Sequence, residues 1–176
     1  MDGMNKYQSL LGFNLKTFFA NITGIDLSSI YFYNDAAAFL LGEVVNKKME
    51  NRRVIGLTLG TGLGSSLYEN GTIVDLNLGS AVFSNGIVED FISTRGVLAH
   101  LTEKFGYIPV DNIKDIAERP DLEIFRKEAF DFLSNQLITF IKEYIYPLTP
   151  DTIIIGGSIA KAHNYFFDKL LNPQDI

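Results

Sequence analysis

Tyr31-Phe-Tyr-Asn-Asp-Ala-Ala-Ala-Phe-Leu-Leu-Gly-Glu43 runs from three β-prone aromatic residues, through an Asn-Asp pair, into a series of good helix formers. The pattern predicts a strand over 30–33 and a helix from Ala36 to about Met49, with Asn34 and Asp35 at the junction. A carboxylate placed there can act as a general base while the neighbouring amide orients a hydroxyl-rich substrate. A purely structural reading is also open: Asp35 as helix N-cap, its oxygen accepting from the first unpaired backbone N–H groups. What surrounds the pair has to choose between them.

Upstream, residues 14–22 read as a short amphipathic helix closed by Thr23-Gly24. Downstream, Val54 to Gly60 is a strand and Gly64 to Glu69 its antiparallel return. Asn70-Gly71 then marks a tight hairpin, because both residues accept positive φ, and a short strand follows over 72–74. Residues 75–86 lack a period and read as loop; two helical pieces are expected over 87–105, broken at Gly96. A long helix is predicted from about Asp121 to Tyr146. Its Ala129, Phe132, Leu133, Leu137, Phe140, Ile141, Tyr144 and Ile145 recur at threes and fours, and Pro147 and Pro150 end it. Asp151 to Ile155 is a buried strand, Gly156-Gly157 a turn, and Ser158 the cap of a last helix. The order is mixed α/β, with helices crossing between strands of one sheet. The strand at 30–33 has no obvious partner upstream and reads as the tail of another lobe.

Two glycine clusters stand out. Gly60-Thr61-Gly62-Leu63-Gly64 joins two strands, and its N–H groups can form an anion-binding concavity; the competing reading is a plain tight hairpin. It lacks the Gly-Lys-Ser/Thr ending of a Walker loop, and a strand rather than a helix follows it, which excludes a dinucleotide fingerprint. Gly156-Gly157-Ser158 follows a buried strand and opens a helix, a place that suits phosphate or a flat adenine ring, or simply small residues for close packing.

Composition narrows the classes. The 176 residues suit one domain or slightly more, and 47% apolar content describes an ordinary folded protein. A net charge of −6, without Lys/Arg clusters, argues against nucleic-acid binding. With no cysteine there is neither a disulfide framework nor a thiolate zinc site, and His100 and His163 are far apart in sequence. The apolar runs are too short for a signal peptide or a membrane span, so a cytoplasmic, membrane-free protein is expected.

An Asn-Asp pair at a helix start, then a strand-Gly-Thr-Gly-strand hairpin, then strand-Gly-Gly-Ser-helix, resembles the actin-like sugar-kinase superfamily. Asn34-Asp35-Ala-Ala-Ala-Phe-Leu-Leu-Gly-Glu43 resembles the ROK family of bacterial sugar kinases and sugar-responsive repressors, and the likeness runs from about Asn14 to about Ala162. It implies an α/β fold of actin-like ATPase (ribonuclease H-like) type: the C-terminal nucleotide- and sugar-binding lobe over 36–176, and a remnant of the N-terminal lobe over 1–35. It also implies ATP-dependent phosphorylation of a hexose. Asp35 would be the catalytic base, with Asn34, Asp35 and Glu89 binding the sugar. Gly60, Thr61 and Gly62 would hold ATP phosphates bridged by Mg2+, and Gly156, Gly157 and Ser158 would border the adenosine. For Glu89 the alternative is an exposed first-turn residue favoured by the helix dipole.

The chain also departs from that family. Where many members carry Glu-x-x-Gly-His, residues 76–85 read Leu-Asn-Leu-Gly-Ser-Ala-Val-Phe-Ser-Asn, and His100 lies too late to replace the missing histidine and reads as a helix-surface residue. With no cysteine, a zinc-free branch with an altered sugar pocket is implied. The family's Asp-x-Gly-Gly-Thr-like first phosphate turn should lie well upstream of Asn34, so a fragment is expected. The alternatives to a kinase are the sugar-sensing lobe of a ROK regulator and a non-catalytic remnant. A homo-oligomer is expected, because an incomplete lobe leaves apolar surface uncovered; Phe13, Phe18, Phe19, Phe166 and Phe167 are candidates for that surface, with ordinary core as the preferred reading unless the surface is exposed.

Overall fold

Asn70 and Gly71 take φ of 50° and 80°, and this turn sets the sheet. The computed structural model describes residues 11–171, in two units, Met1–Tyr33 and Asn34–Ile176. In the larger unit β1 (Val54–Leu59) pairs antiparallel with β2 (Leu63–Glu69), which the Asn70-Gly71 turn folds back onto β3 (Thr72–Asp75). The expected loop over 75–86 contains a small hairpin, β4 (Val82–Phe83) with β5 (Gly86–Ile87). β6 (Thr152–Gly156) runs parallel to β1 and is the edge of the four-stranded order β3-β2-β1-β6. A parallel neighbour needs a crossover, and the helices between β5 and β6 supply it.

Alternation along β1 divides the packing. Ile55, Leu57 and Leu59 face the larger core with Leu101, Ile116, Phe130, Leu133, Leu137 and Phe140. Val54 faces the other way, packing with Leu40 and Val44 of a helix and with Tyr68. Gly56 lies under that helix: a Cβ there would come within 3.0 Å of the Leu40 Cβ, so the glycine lets helix and sheet approach.

The first unit differs from expectation. One helix (Leu15–Thr23) is present, capped by Asn14 and closed by Gly24 at φ 71°. No strand forms over 30–33; Tyr31, Phe32 and Tyr33 are 70%, 57% and 62% exposed. β propensity needs a partner edge to become a strand, and this unit offers none among its described residues. Phe13, Phe18, Phe19 and Phe32 are exposed and touch one another in series, with centroids 5.3, 5.7 and 6.2 Å apart. Phe166 is core, and Phe167 is half-buried against it, so of the two readings open for this pair the core one holds.

The helix expected from Ala36 begins at Asp35 and ends at Asn46. Gly96 does not break a helix. It sits inside Thr94–Phe105, where a Cβ would press on the Asp90 carbonyl, so the glycine serves close packing against the preceding 3-10 turn at Val88–Asp90. The long helix spans Glu123–Phe140, continues as a π-turn over Ile141–Ile145 and ends in a 3-10 turn at Tyr146–Leu148. An unexpected helix, Ile113–Glu118, precedes it, buried through Ile113 and Ile116. Ser158 is in the helical region and makes no side-chain capping bond; a 3-10 helix, Ile159–Tyr165, follows it. His100 is half-buried rather than superficial, 2.8 Å from Glu128 and stacked on Phe132 at 3.9 Å.

Candidate active site

Asn34, not Asp35, is the N-cap of the helix Asp35–Asn46. Its Oδ1 accepts from the Ala36 N–H at 2.8 Å, and its backbone is extended. Asp35 is the first helical residue and shares the same N–H through its own Oδ1 at 2.8 Å. Its Oδ2 has no hydrogen-bond partner among the described residues, and the side chain is exposed. The cap reading of Asp35 therefore passes to its neighbour. One carboxylate oxygen of Asp35 is left for other work, beside a helix N-terminus that favours negative charge.

The turn after β1 is held from two sides. Gly60 N–H donates to the Gly62 carbonyl at 3.0 Å, which closes the bend. The Leu63 N–H donates to Glu89 Oε1 at 2.9 Å, and the Gly60 carbonyl accepts from the Thr94 N–H at 2.8 Å. The N–H groups of Thr61 and Gly62 find no partner among the described residues. Two free, adjacent backbone donors on an exposed bend suit an anionic oxygen. Glu89 is half-buried, so the expectation of a merely exposed first-turn residue is corrected.

These groups line one cavity of about 500 Å³, formed by Asn34, Asp35, Gly60, Thr61, Gly62, Glu89, Gly157 and Ser158 with residues the sequence reading did not single out. Gly157 takes φ 95° with its α-carbon against the Leu59 backbone, a conformation and a closeness that only glycine tolerates. Gly156 is not on the cavity wall; its open face is filled by the Phe39 ring.

The unforeseen polar members are Thr58, Ser65, Asp75 and Asn77. Buried Ser65 hangs the wall segment from β2. Its carbonyl accepts from Leu76 N–H and its Oγ from Leu78 N–H, both at 2.9 Å. Asp75 accepts from Asn34 Nδ2 through Oδ2 and from the Asn77 N–H through Oδ1. The only local signal was Asp75-Leu-Asn77, an Asx-turn pattern. Among the described residues, no group of three or more His, Cys, Asp or Glu side chains is placed to hold a metal ion.

No protein-family model matches the chain, and no curated protein matches it. Solved structures do. A glucokinase from Parabacteroides distasonis superimposes with TM-score 0.65 at 23% identity, over 89% of this chain and 51% of its own. The chain shares the fold of that structure. A ROK family glucokinase from Streptomyces griseus, solved with glucose and AMPPNP, shares that fold at TM-score 0.60 and 19% identity, over 89% of this chain and 60% of its own. So does a ROK family transcriptional regulator homologous to the E. coli MLC protein, at TM-score 0.65 and 16% identity, over 89% and 45%. The chain spans about half the length of the ROK-fold structures it matches. The actin-like α/β class expected from the motif order is the class observed.

Proposed function

We propose that this chain carries the acceptor- and nucleotide-binding lobe of an ATP-dependent hexose kinase. The observation that carries the reading is the meeting of Asn34, Asp35, the Gly60-Thr61-Gly62 turn, Glu89 and Gly157-Ser158 around one cavity. Asp35 takes the proton from a sugar hydroxyl through its uncommitted Oδ2. The hydroxyl oxygen bonds to the terminal phosphorus of ATP, and the bond from that phosphorus to the bridging oxygen breaks to release ADP. Thr61 and Gly62 N–H groups receive phosphate oxygens, and Asn34, Asp75 and Glu89 line the hydroxyl-rich side. Mg2+, when bound, would neutralise charge on the phosphates. Among the described residues no metal-binding cluster is present, so Mg2+ would enter with the nucleotide. Glucose in the glucokinase complex and sucrose in a Streptococcus pneumoniae ROK family structure support a sugar as the ligand class.

A cytoplasmic setting fits this substrate; no helix of the described residues is long and apolar enough to cross a membrane. Self-association belongs to the same reading, through the exposed rings near the start of the chain. Likeness to the ROK transcriptional regulator favours one alternative, a sugar-sensing lobe without turnover.

The test is ADP release by the full-length protein that carries this lobe, with ATP, Mg2+ and a panel of hexoses, together with calorimetric sugar binding. The kinase reading expects turnover on one hexose, falling about a thousandfold in Asp35→Asn while sugar affinity stays within a few-fold. Sugar binding with no ADP release would replace it with the sensing lobe. Full turnover in Asp35→Asn would reduce Asp35 to a first-turn helix residue.

A further inference from the structure

Glu89 is tied into the site in a way a ligand contact alone does not require. Its Oε1 accepts the Leu63 N–H at 2.9 Å, while its backbone carbonyl accepts from Ser93 Oγ at 2.6 Å. Ser93 is fully buried and is also the N-cap of the helix Thr94–Phe105, accepting from Gly96 N–H at 3.1 Å. The next residue, Thr94, donates its N–H to the Gly60 carbonyl. The 3-10 turn and the helix start thus grip the Gly60–Leu63 bend at both ends, Gly60 through the backbone and Leu63 through Glu89.

The space around the carboxylate is cut to its shape. A Cβ on Gly62 would collide with Glu89 Oε1, and one on Gly79 would lie 2.8 Å from the same oxygen and 2.6 Å from the Leu63 carbonyl. Neither glycine has a positive φ, so close approach rather than backbone conformation explains both. Glu89 Oε2 makes no hydrogen bond among the described residues and remains for the cavity.

We propose that Glu89 is a positioning residue for the Gly60–Leu63 turn, holding it open for nucleotide phosphate through the Leu63 N–H. The phosphate part rests on the kinase reading above; the brace itself does not. A bend that carries two glycines, Gly60 and Gly62, is conformationally loose, and fixing it before the ligand arrives spares the ordering cost that binding would otherwise bear. The chemistry needs only an acceptor oxygen at the right reach, so charge and reach can be separated by substitution.

The experiment follows Leu63 amide hydrogen exchange by NMR in the full chain, with AMPPNP and hexose titrations on the same samples. Glu89→Ala should speed Leu63 exchange and weaken AMPPNP about tenfold each, since it leaves a half-buried donor unpaired. Glu89→Gln keeps an acceptor at the same reach, and both quantities should stay within about threefold of wild type. Glu89→Asp keeps the charge but falls short and should behave like Glu89→Ala; this comparison decides the matter if Glu89→Ala does not fold. Unchanged Leu63 protection in Glu89→Asp and Glu89→Ala would overturn the brace, as would a loss confined to hexose affinity. A wild-type chain that binds no AMPPNP would sink the kinase reading, and Leu63 exchange would still decide the brace.

Discussion

Asn34 donates its side-chain amide to the carboxylate of Asp75, 41 positions further along the chain, at 3.1 Å. The other end of the same amide caps the helix that begins at Asp35, so both ends of the Asn34 side chain are engaged. Asp75 is in turn held by the Asn77 N–H, on a segment hung from buried Ser65. The rotamer of Asn34 therefore depends on β3, and the start of the Asp35–Asn46 helix is moored to the sheet at that point.

Asn34→Ala should cost about 1 kcal/mol through the lost cap. Asp75→Ala should cost about 0.5–1 kcal/mol through one exposed hydrogen bond. In a urea-unfolding double-mutant cycle the pair should fall short of additivity by about 0.5 kcal/mol. Strict additivity would mean that the bond does not persist in solution.

Gly64→Ala should be among the most damaging single-methyl changes in the site. The added carbon would meet the Thr58 hydroxyl and lie 2.7 Å from the Ala36 Cβ, forcing the first turn of the Asp35–Asn46 helix off the sheet. A cost of about 1–3 kcal/mol is expected from this overpacking. Gly56→Ala, whose nearest contact is 3.0 Å to the Leu40 side chain, should cost less. Urea midpoints of the two variants rank them, and the reverse order would contradict the packing.

Acid should release one specific restraint. Hydrogen bonds from Lys104, then His100, hold the Glu128 carboxyl below its ordinary value of 4.5. The folded-state pKa is depressed, so the stabilisation is complete above pH 4.5 and lost as pH falls through the lower folded-state value. Glu128→Gln should flatten stability against pH below about 4.5, at a cost near neutrality of roughly 0.5 kcal/mol for a partly exposed cluster. An unchanged acid limb in thermal melts at pH 3 to 6 would show that other carboxyls set it.

Exposed rings predict association. Phe18→Ser combined with Phe19→Ser should lower the sedimentation-measured mass or leave a monomer at concentrations where the wild type self-associates, since neither ring is buried. A wild-type chain that is monomeric throughout would remove the homo-oligomer from the proposal.

Local signals were legible where the backbone itself demanded them. Asn70-Gly71 announced its hairpin because two consecutive positive φ values restrict the residue choice. The threefold and fourfold repeat over 129–145 marked a buried face, although the π-turn that ends the helix left no trace in the pattern. The aromatic run 31–33 misled, since propensity describes a fit to a neighbouring strand and no neighbour is there. Ser158 misled for a related reason: the residue type suits a cap, but its backbone is already helical and its side chain makes no capping bond. Asp75 and Ser65 escaped notice because their roles depend on contacts between segments far apart in sequence. The Glu89 brace was invisible for the same reason, although the residue itself was picked out.

One consequence lies away from the cavity. β6 carries three isoleucines in a row and, among the described residues, borders only β1, so its outer side presents a file of backbone donors and acceptors that no described strand satisfies. Such a rim is a template, ready to accept an extended segment in register, from this polypeptide or any other.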